Sequence, residues 1–359
     1  MRAHLFSIMS TGMTYGWKFI KFVLRESASG KVLQERADLL RLYLLTGARE
    51  TWPHVEKKDL TAADVLDLPS HKEQRQVALD RVRLQANTLL GRWKAERPAP
   101  MPPESPRSPV TDEQRERLAR EREAEKLAAQ HTAFGFDLTV GPSSAGAGAG
   151  KGVFLSGKAA PGSVVAFFPG VTYEPSDVLL LRGGIKFFEG NDYLRARFDR
   201  AIIDASPRAL TLVPHEAMDN PLSVGHLVNH PPRNIEPNVL PAPIDWEPSL
   251  VPRELITLLP NVSYLNSSAK QRALIEDGGS SGPTQQRSRD LGDWFRASLA
   301  DGLREPEPEG GRPLKGLVLV AAKPLKDEEL FLNYRLNPAH PYPDWYTPHD
   351  VEEDTRRWT

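Results

Sequence analysis

Six of the thirteen residues from Arg97 to Pro109 are proline, in the run RPAPMPPESPRSP. Proline fixes φ and lacks an N–H donor, so neither a helix nor an inner strand can pass through this stretch. It reads as an extended linker, and it separates two textures. The sequence before it is helical, and the sequence from Phe134 onward is β-like.

Before the linker, residues 31–49 place Val32, Leu33, Leu39, Leu40, Leu42, Leu44 and Leu45 at mostly helical intervals. Thr61 suits the N-cap of a short helix over 61–67. Residues 70–96 predict a further helix with Val77, Leu79, Val82, Leu84, Leu89 and Leu90 inside. Residues 1–96 therefore read as a small all-helical region. The segment 97–130 then comprises the linker and a charged helix, TDEQRERLAREREAEKLAAQ, capped by Thr111 and supported by Glu/Arg pairs three and four apart. With almost no apolar face, that helix is expected to be a solvent-exposed spacer.

From Phe134, short apolar runs alternate with glycine and proline: GVFLSG, SVVAFFPG, AIIDA, GLVLVAA and ELFLNY. Short strands with frequent turns predict a compact β-rich domain. No strand–helix alternation supports a doubly wound parallel sheet. The fold class is thus α+β. Residues 276–312 are rich in Gly, Ser, Arg, Glu and Pro and are expected to be a disordered insertion between two strands, with a short helix around Trp294 and Phe295 at most.

The 359 residues contain no cysteine. This removes disulfides, thiolate metal sites and a cysteine nucleophile, and it points to an intracellular setting, nucleus or cytoplasm. No apolar run reaches the roughly 18 residues of a membrane span, and the start does not read as a secretory signal. Residues 1–100 hold 17 Lys/Arg against 11 Asp/Glu. This basic helical region offers a docking surface for a partner, or simply a solvated face. Residues 1–25, with Arg2, Lys18, Lys21 and Arg25 and no acid, fit mitochondrial targeting as well as a basic first helix.

Three motifs fail on inspection. In GAGAGKG (146–152) a phosphate-binding loop needs glycine at Ala145 and a hydroxyl at Gly152. GGSSG (278–282) matches a nucleophile elbow but sits in low-complexity sequence without the flanking strand and helix. His226 and His230 are four apart but lack the carboxylate that would complete a metal site.

Four other segments hold together by their order: Gly150-Lys151-Gly152-Val153-Phe154, then Phe168-Pro169-Gly170-Val171-Thr172-Tyr173, then Val228-Asn229-His230 with Pro237-Asn238-Val239, then Asp327-Glu328-Glu329-Leu330-Phe331-Leu332-Asn333-Tyr334. Together they resemble the SET domain of protein methyltransferases. More narrowly, SSAGAGAGKGVF, PGSVVAFFPGVTY, NPLSVGHLVNH, PRELITLLPNVSY and GLVLVAAKPLKDEELFLNY are similar to the SET domain-containing protein 9 family, over residues 134–337.

The resemblance implies small curved sheets of the β-clip type, with 338–359 as a C-terminal tail. It implies S-adenosylmethionine as cofactor, held by Gly150, Lys151, Gly152, Asn229, His230 and Tyr334. It makes Tyr334 the active-site tyrosine, beside a protein lysine, histone or non-histone, that receives the methyl group. Nucleic acid and metal are not required. Lacking the cysteine-rich zinc module that many SET enzymes carry after the domain, the tail would supply aromatics instead, with Trp345 placed at the cofactor or the channel. The alternative implied role is a non-catalytic SET module that binds a protein partner. Three departures bear on the choice. The family's glycine before the paired acids is Asp327 here. Asn-His runs into Pro231-Pro232. The spacing from Asn229 to Asn238 is longer than the common one, although the protein 9 type shares it.

Overall fold

The structure is a computed structural model that describes residues 30–57, 61–99, 111–146, 148–178, 181, 187–188, 191–265 and 312–358. The targeting reading of residues 1–25, most of the proline run, the GGSSG match and residues 276–311 of the expected insertion lie outside the described residues. Arg312, the last residue of that insertion, is described and pairs with Glu174 at 3.3 Å.

The helical half contains α1 (Gly30–Thr46), α2 (Ala62–Leu66), α3 (His71–Glu96) and α4 (Asp112–Phe134). Thr61, Ser70 and Thr111 each cap the following helix with a complete capping box, two orphan N–H groups being satisfied reciprocally. Among the described residues ten short strands follow: β1 (Phe136–Pro142), β2 (Lys151–Ala159), β3 (Val164–Phe168), β4 (Gly170–Tyr173), β5 (Leu194–Ala196), β6 (Ile202–Asp204), β7 (Val239–Trp246), β8 (Asn261–Ser263), β9 (Leu314–Ala321) and β10 (Leu325–Glu329). They form three small sheets, ordered β1-β2-β10, β3-β9-β7 and β5-β6-β4-β8. Every pairing is antiparallel except β4 with β8. The chain is therefore α+β, with small antiparallel sheets behind an N-terminal helical segment. A last helix, α5 (Val351–Trp358), ends the described chain.

The helices do not stand apart from the sheets. Leu40 and Tyr43 of α1 and Val82, Ala86 and Leu90 of α3 share one buried cluster with Val165, Phe167, Trp246 and Leu319 of the sheets. Polar contacts fix the same seam. The Gln85 side chain donates to the Gly162 carbonyl at 3.0 Å and accepts from the Val164 N–H at 3.0 Å.

Helix α4 differs from the expected spacer. Its first turns are exposed, but Ala129, Gln130 and Ala133 are buried, and the Phe134 ring lies 6.0 Å from Trp93. Its docking face is made of alanines and one glutamine, whose Oε1 accepts from the Leu138 N–H at 2.8 Å. Such small side chains carry no amphipathic signal yet allow close approach. Among the described residues no helix is long and apolar enough to cross a membrane.

Candidate functional site

Of residues 329–334, expected as a strand, Glu329 ends β10 and the rest form only isolated bridges as they pass through a crossing of the chain. Asn229 pairs with Phe331 and Val239 with Leu332, both in parallel sense. The backbone bonds run to two other segments. Leu330 N–H donates to Val153 O (2.8 Å), Asn238 N–H to Phe331 O (3.0 Å) and Leu332 N–H to Asn229 O (2.9 Å). β2, the 228–239 segment and the 329–334 segment therefore meet here, and most of the sequence-predicted site residues arrive with them.

The paired acids lock this crossing. The Asn238 amide donates to Glu328 Oε2 (2.9 Å) and to the Glu329 carbonyl (2.7 Å), while its Oδ1 accepts from the Phe331 N–H (2.7 Å). The buried Glu329 carboxylate accepts from the Ser143 hydroxyl (2.6 Å) and the Ser144 N–H (2.7 Å). It thereby ties down the loop that leads to Gly150. A Cβ on Gly152 would lie 2.0 Å from Glu329 Oε1. Gly152 is bare to make room for that carboxylate. Gly150 is bare for another reason: its φ is +67°, a left-handed conformation natural to glycine, and open space lies where a Cβ would be.

Asn229 Nδ2 donates to the Lys151 carbonyl at 2.9 Å and joins the Gly150–Gly152 strand to the crossing. The adjacent His230 is buried. Its Nδ1 accepts from the Tyr334 N–H (3.3 Å), and its Nε2 must then donate to the Thr347 carbonyl (2.7 Å). Burial pushes the His230 pKa down to about 4. The ring is neutral at neutral pH with both nitrogens occupied, so its work is to hold Tyr334 and the tail in place.

Tyr334 donates its hydroxyl to the Val228 carbonyl at 3.0 Å. The Arg195 guanidinium of β5 lies 5.0 Å from the Tyr334 ring centre, and Trp345 meets the ring edge-on at 6.2 Å. Trp345 is 56% exposed, whereas Tyr346 is buried and stacked on His230 at 4.3 Å. Sequence reasoning placed the tail aromatics near the site but singled out Trp345. The more tightly held ring is Tyr346, whose hydroxyl donates to Asp354 of α5 at 2.9 Å. Burial, with Asp354 adding to it, raises the Tyr346 pKa.

A cavity of about 280 Å³ opens on the Tyr334 side. Phe168, Val228, Leu317 and Leu332 give it apolar walls, and Asp38 and Arg335 line it from α1 and the residue after Tyr334. Gly150, Lys151, Gly152, Asn229, His230 and Trp345 are not among its lining residues, so the glycine strand and the cavity reach the crossing from different sides. Asp38, Arg195 and Arg335 carried no motif in the sequence and were not anticipated. Among the described residues no group of three or more His, Asp or Glu is placed to hold a metal ion.

Two features singled out in the sequence, Asp327 and the spacing from Asn229 to Asn238, have local structural accounts. Asp327 adopts φ +47° at the bulge between Lys326 and Glu328, and its Oδ1 accepts from the Gly157 N–H at 2.8 Å. Aspartate enters the left-handed region more readily than most side chains, and the bond across to β2 holds it there. The extra length between Asn229 and Asn238 forms an exposed turn, closed by Ile235 N–H to Pro232 O at 3.1 Å, with Asn234 at φ +71°. Both asparagines remain bonded at the crossing.

No known family, curated protein or solved structure matches the chain.

Proposed function

We propose that the chain is an S-adenosylmethionine-dependent protein-lysine methyltransferase of the SET type. The observation that carries this reading is the hydrogen-bonded path through the crossing, from the Gly150–Gly152 strand by way of Asn229 and His230 to Tyr334, with a cavity on the tyrosine side. The residues fit the cofactor. Gly150 offers bare backbone beside open space, and Asn229 has spent its amide N–H on Lys151 while its amide oxygen can still accept from an amine.

When bound, the cofactor supplies a methyl carbon whose bond to sulfur breaks as the bond to the lysine nitrogen forms. The chain's own contribution is orientation and electrostatics. The apolar walls favour a neutral, nucleophilic amine over an ammonium, and the lysine's proton leaves to solvent. Tyr334, fixed by Val228 and His230, would orient the incoming amine toward the methyl group.

The test is to incubate the purified chain with methyl-labelled cofactor and a protein extract. The reading expects labelled protein bands that disappear with Tyr334→Phe. Bands of equal intensity with the variant, or none with either protein, would overturn it.

A further inference from the structure

We infer that Asp38 and Arg335 are positioning residues for Tyr334, which makes α1 part of the working site. The inference rests on the methyl-transfer reading of that site. Arg335 follows Tyr334 directly and sits at φ +50°. For a residue with a side chain this conformation is unfavourable and persists only where its surroundings impose it.

Those surroundings come from α1, α5 and the adjacent backbone. The Arg335 guanidinium donates to both Asp38 oxygens, at 2.5 and 2.8 Å, and lies 3.3 Å from Glu353 of α5. Its N–H donates to Asn333 Oδ1 at 3.1 Å, and its carbonyl accepts from Trp358 Nε1 at 2.8 Å. Gln34 of α1 bridges the same groups, donating to Asp38 at 3.0 Å and to Glu353 at 3.4 Å. Burial alone would raise the Asp38 pKa, but the guanidinium outweighs it and holds the carboxyl below its ordinary range.

A planar guanidinium bound through two hydrogen bonds fixes orientation as well as distance. Tyr334 shares a peptide link with this anchored residue, which fixes the C-terminal side of Tyr334 while its N–H and hydroxyl are held by His230 and Val228. Asp38, Tyr334 and Arg335 also line one cavity, so the clasp lies where the acceptor would enter. An ion pair that served stability alone would need neither the strained backbone nor this place beside the tyrosine.

The experiment uses the full chain with a fluorine label on the Tyr334 ring, observed by NMR, alongside melting temperature, cofactor affinity and turnover. The variants are Arg335→Lys, which keeps the charge and loses the fork, and Asp38→Asn. A control, Lys126→Met, removes the ion pair between Lys126 and Asp219, neither of which lines the cavity. The expected result is a shifted or broadened Tyr334 signal with both clasp variants and a fall in kcat of about ten- to a hundredfold. Cofactor affinity should not change, and the control should leave signal and kcat unmoved.

An unchanged Tyr334 signal in folded Arg335→Lys overturns the inference, and so does a control that perturbs the signal as strongly. If Asp38→Asn fails to fold, Arg335→Lys decides. The fluorine signal judges the clasp even if wild type transfers no methyl group, a result that would sink the methyl-transfer reading instead.

Discussion

The bond between Tyr334 and Val228 sets what a conservative change should do. Tyr334→Phe keeps the ring between Arg195 and Trp345 but removes the hydroxyl bond at 3.0 Å. One such bond contributes about 1 kcal/mol to stability, whereas a preorganised polar group at a reacting centre contributes about 10²–10³ in rate. Turnover should therefore collapse while the melting temperature moves only slightly; a variant that retains most of its rate would remove Tyr334 from the chemistry. His230 gives a pH prediction. Burial lowers both His226 and His230 to about 4. Their stabilising effect is complete above the ordinary histidine pKa near 6.5 and is lost as pH falls toward 4. Asp177 and Asp354, raised by burial to about 6, act in the opposite sense, favouring the fold as pH falls through the same range. Bulk melting curves would blend the two trends, so the imidazole NMR signals are the proper readout. They should titrate near 4, and midpoints near 6.5 would contradict the burial described for both rings.

The 3-10 turn Gly225–Leu227, which leads into Asn229 and His230, is held against the end of β3. A Cβ on Gly225 would stand 2.7 Å from the Phe167 carbonyl oxygen, a backbone atom that cannot swing aside. Gly225→Ala should cost roughly 1–3 kcal/mol and weaken cofactor binding by shifting Asn229. Chemical denaturation with a parallel cofactor titration checks both effects, and a neutral substitution would show that the turn has slack. This turn also marks how far the sequence could be read. Caps at Thr61 and Thr111 and the apolar runs of β2, β3 and β9 were legible because each is local. The clasp was not, since Asp38 and Arg335 are ordinary charged residues until the fold brings them together. The docking of α4 was hidden for a different reason: alanine and glutamine give no hydrophobic period. Gly152 was legible as a needed glycine, but its cause, the Glu329 carboxylate, comes from the far end of the domain.

At the scale of the molecule, one buried cluster links α1 and α3 to two of the three sheets, and the sheet of β5-β6-β4-β8 packs on smaller clusters beside it. The helical segment and the β-rich part should therefore unfold together. Coincident denaturation curves from far-ultraviolet circular dichroism and tryptophan fluorescence are expected, and two separated transitions would show that the shared core is not cooperative. Leu90→Ala, at a fully buried position on α3, should lower that single transition by about 2–5 kcal/mol. The same joint construction bears on function, because the tyrosine side of the crossing is walled by α1 and the glycine side by β2. The most direct test of the central claim is calorimetric titration of S-adenosylmethionine into wild type, Asn229→Ala and Tyr334→Phe. The account predicts saturable binding to wild type, near-equal affinity for Tyr334→Phe and clearly weaker binding to Asn229→Ala. Absence of binding to folded wild type at millimolar cofactor would contradict it.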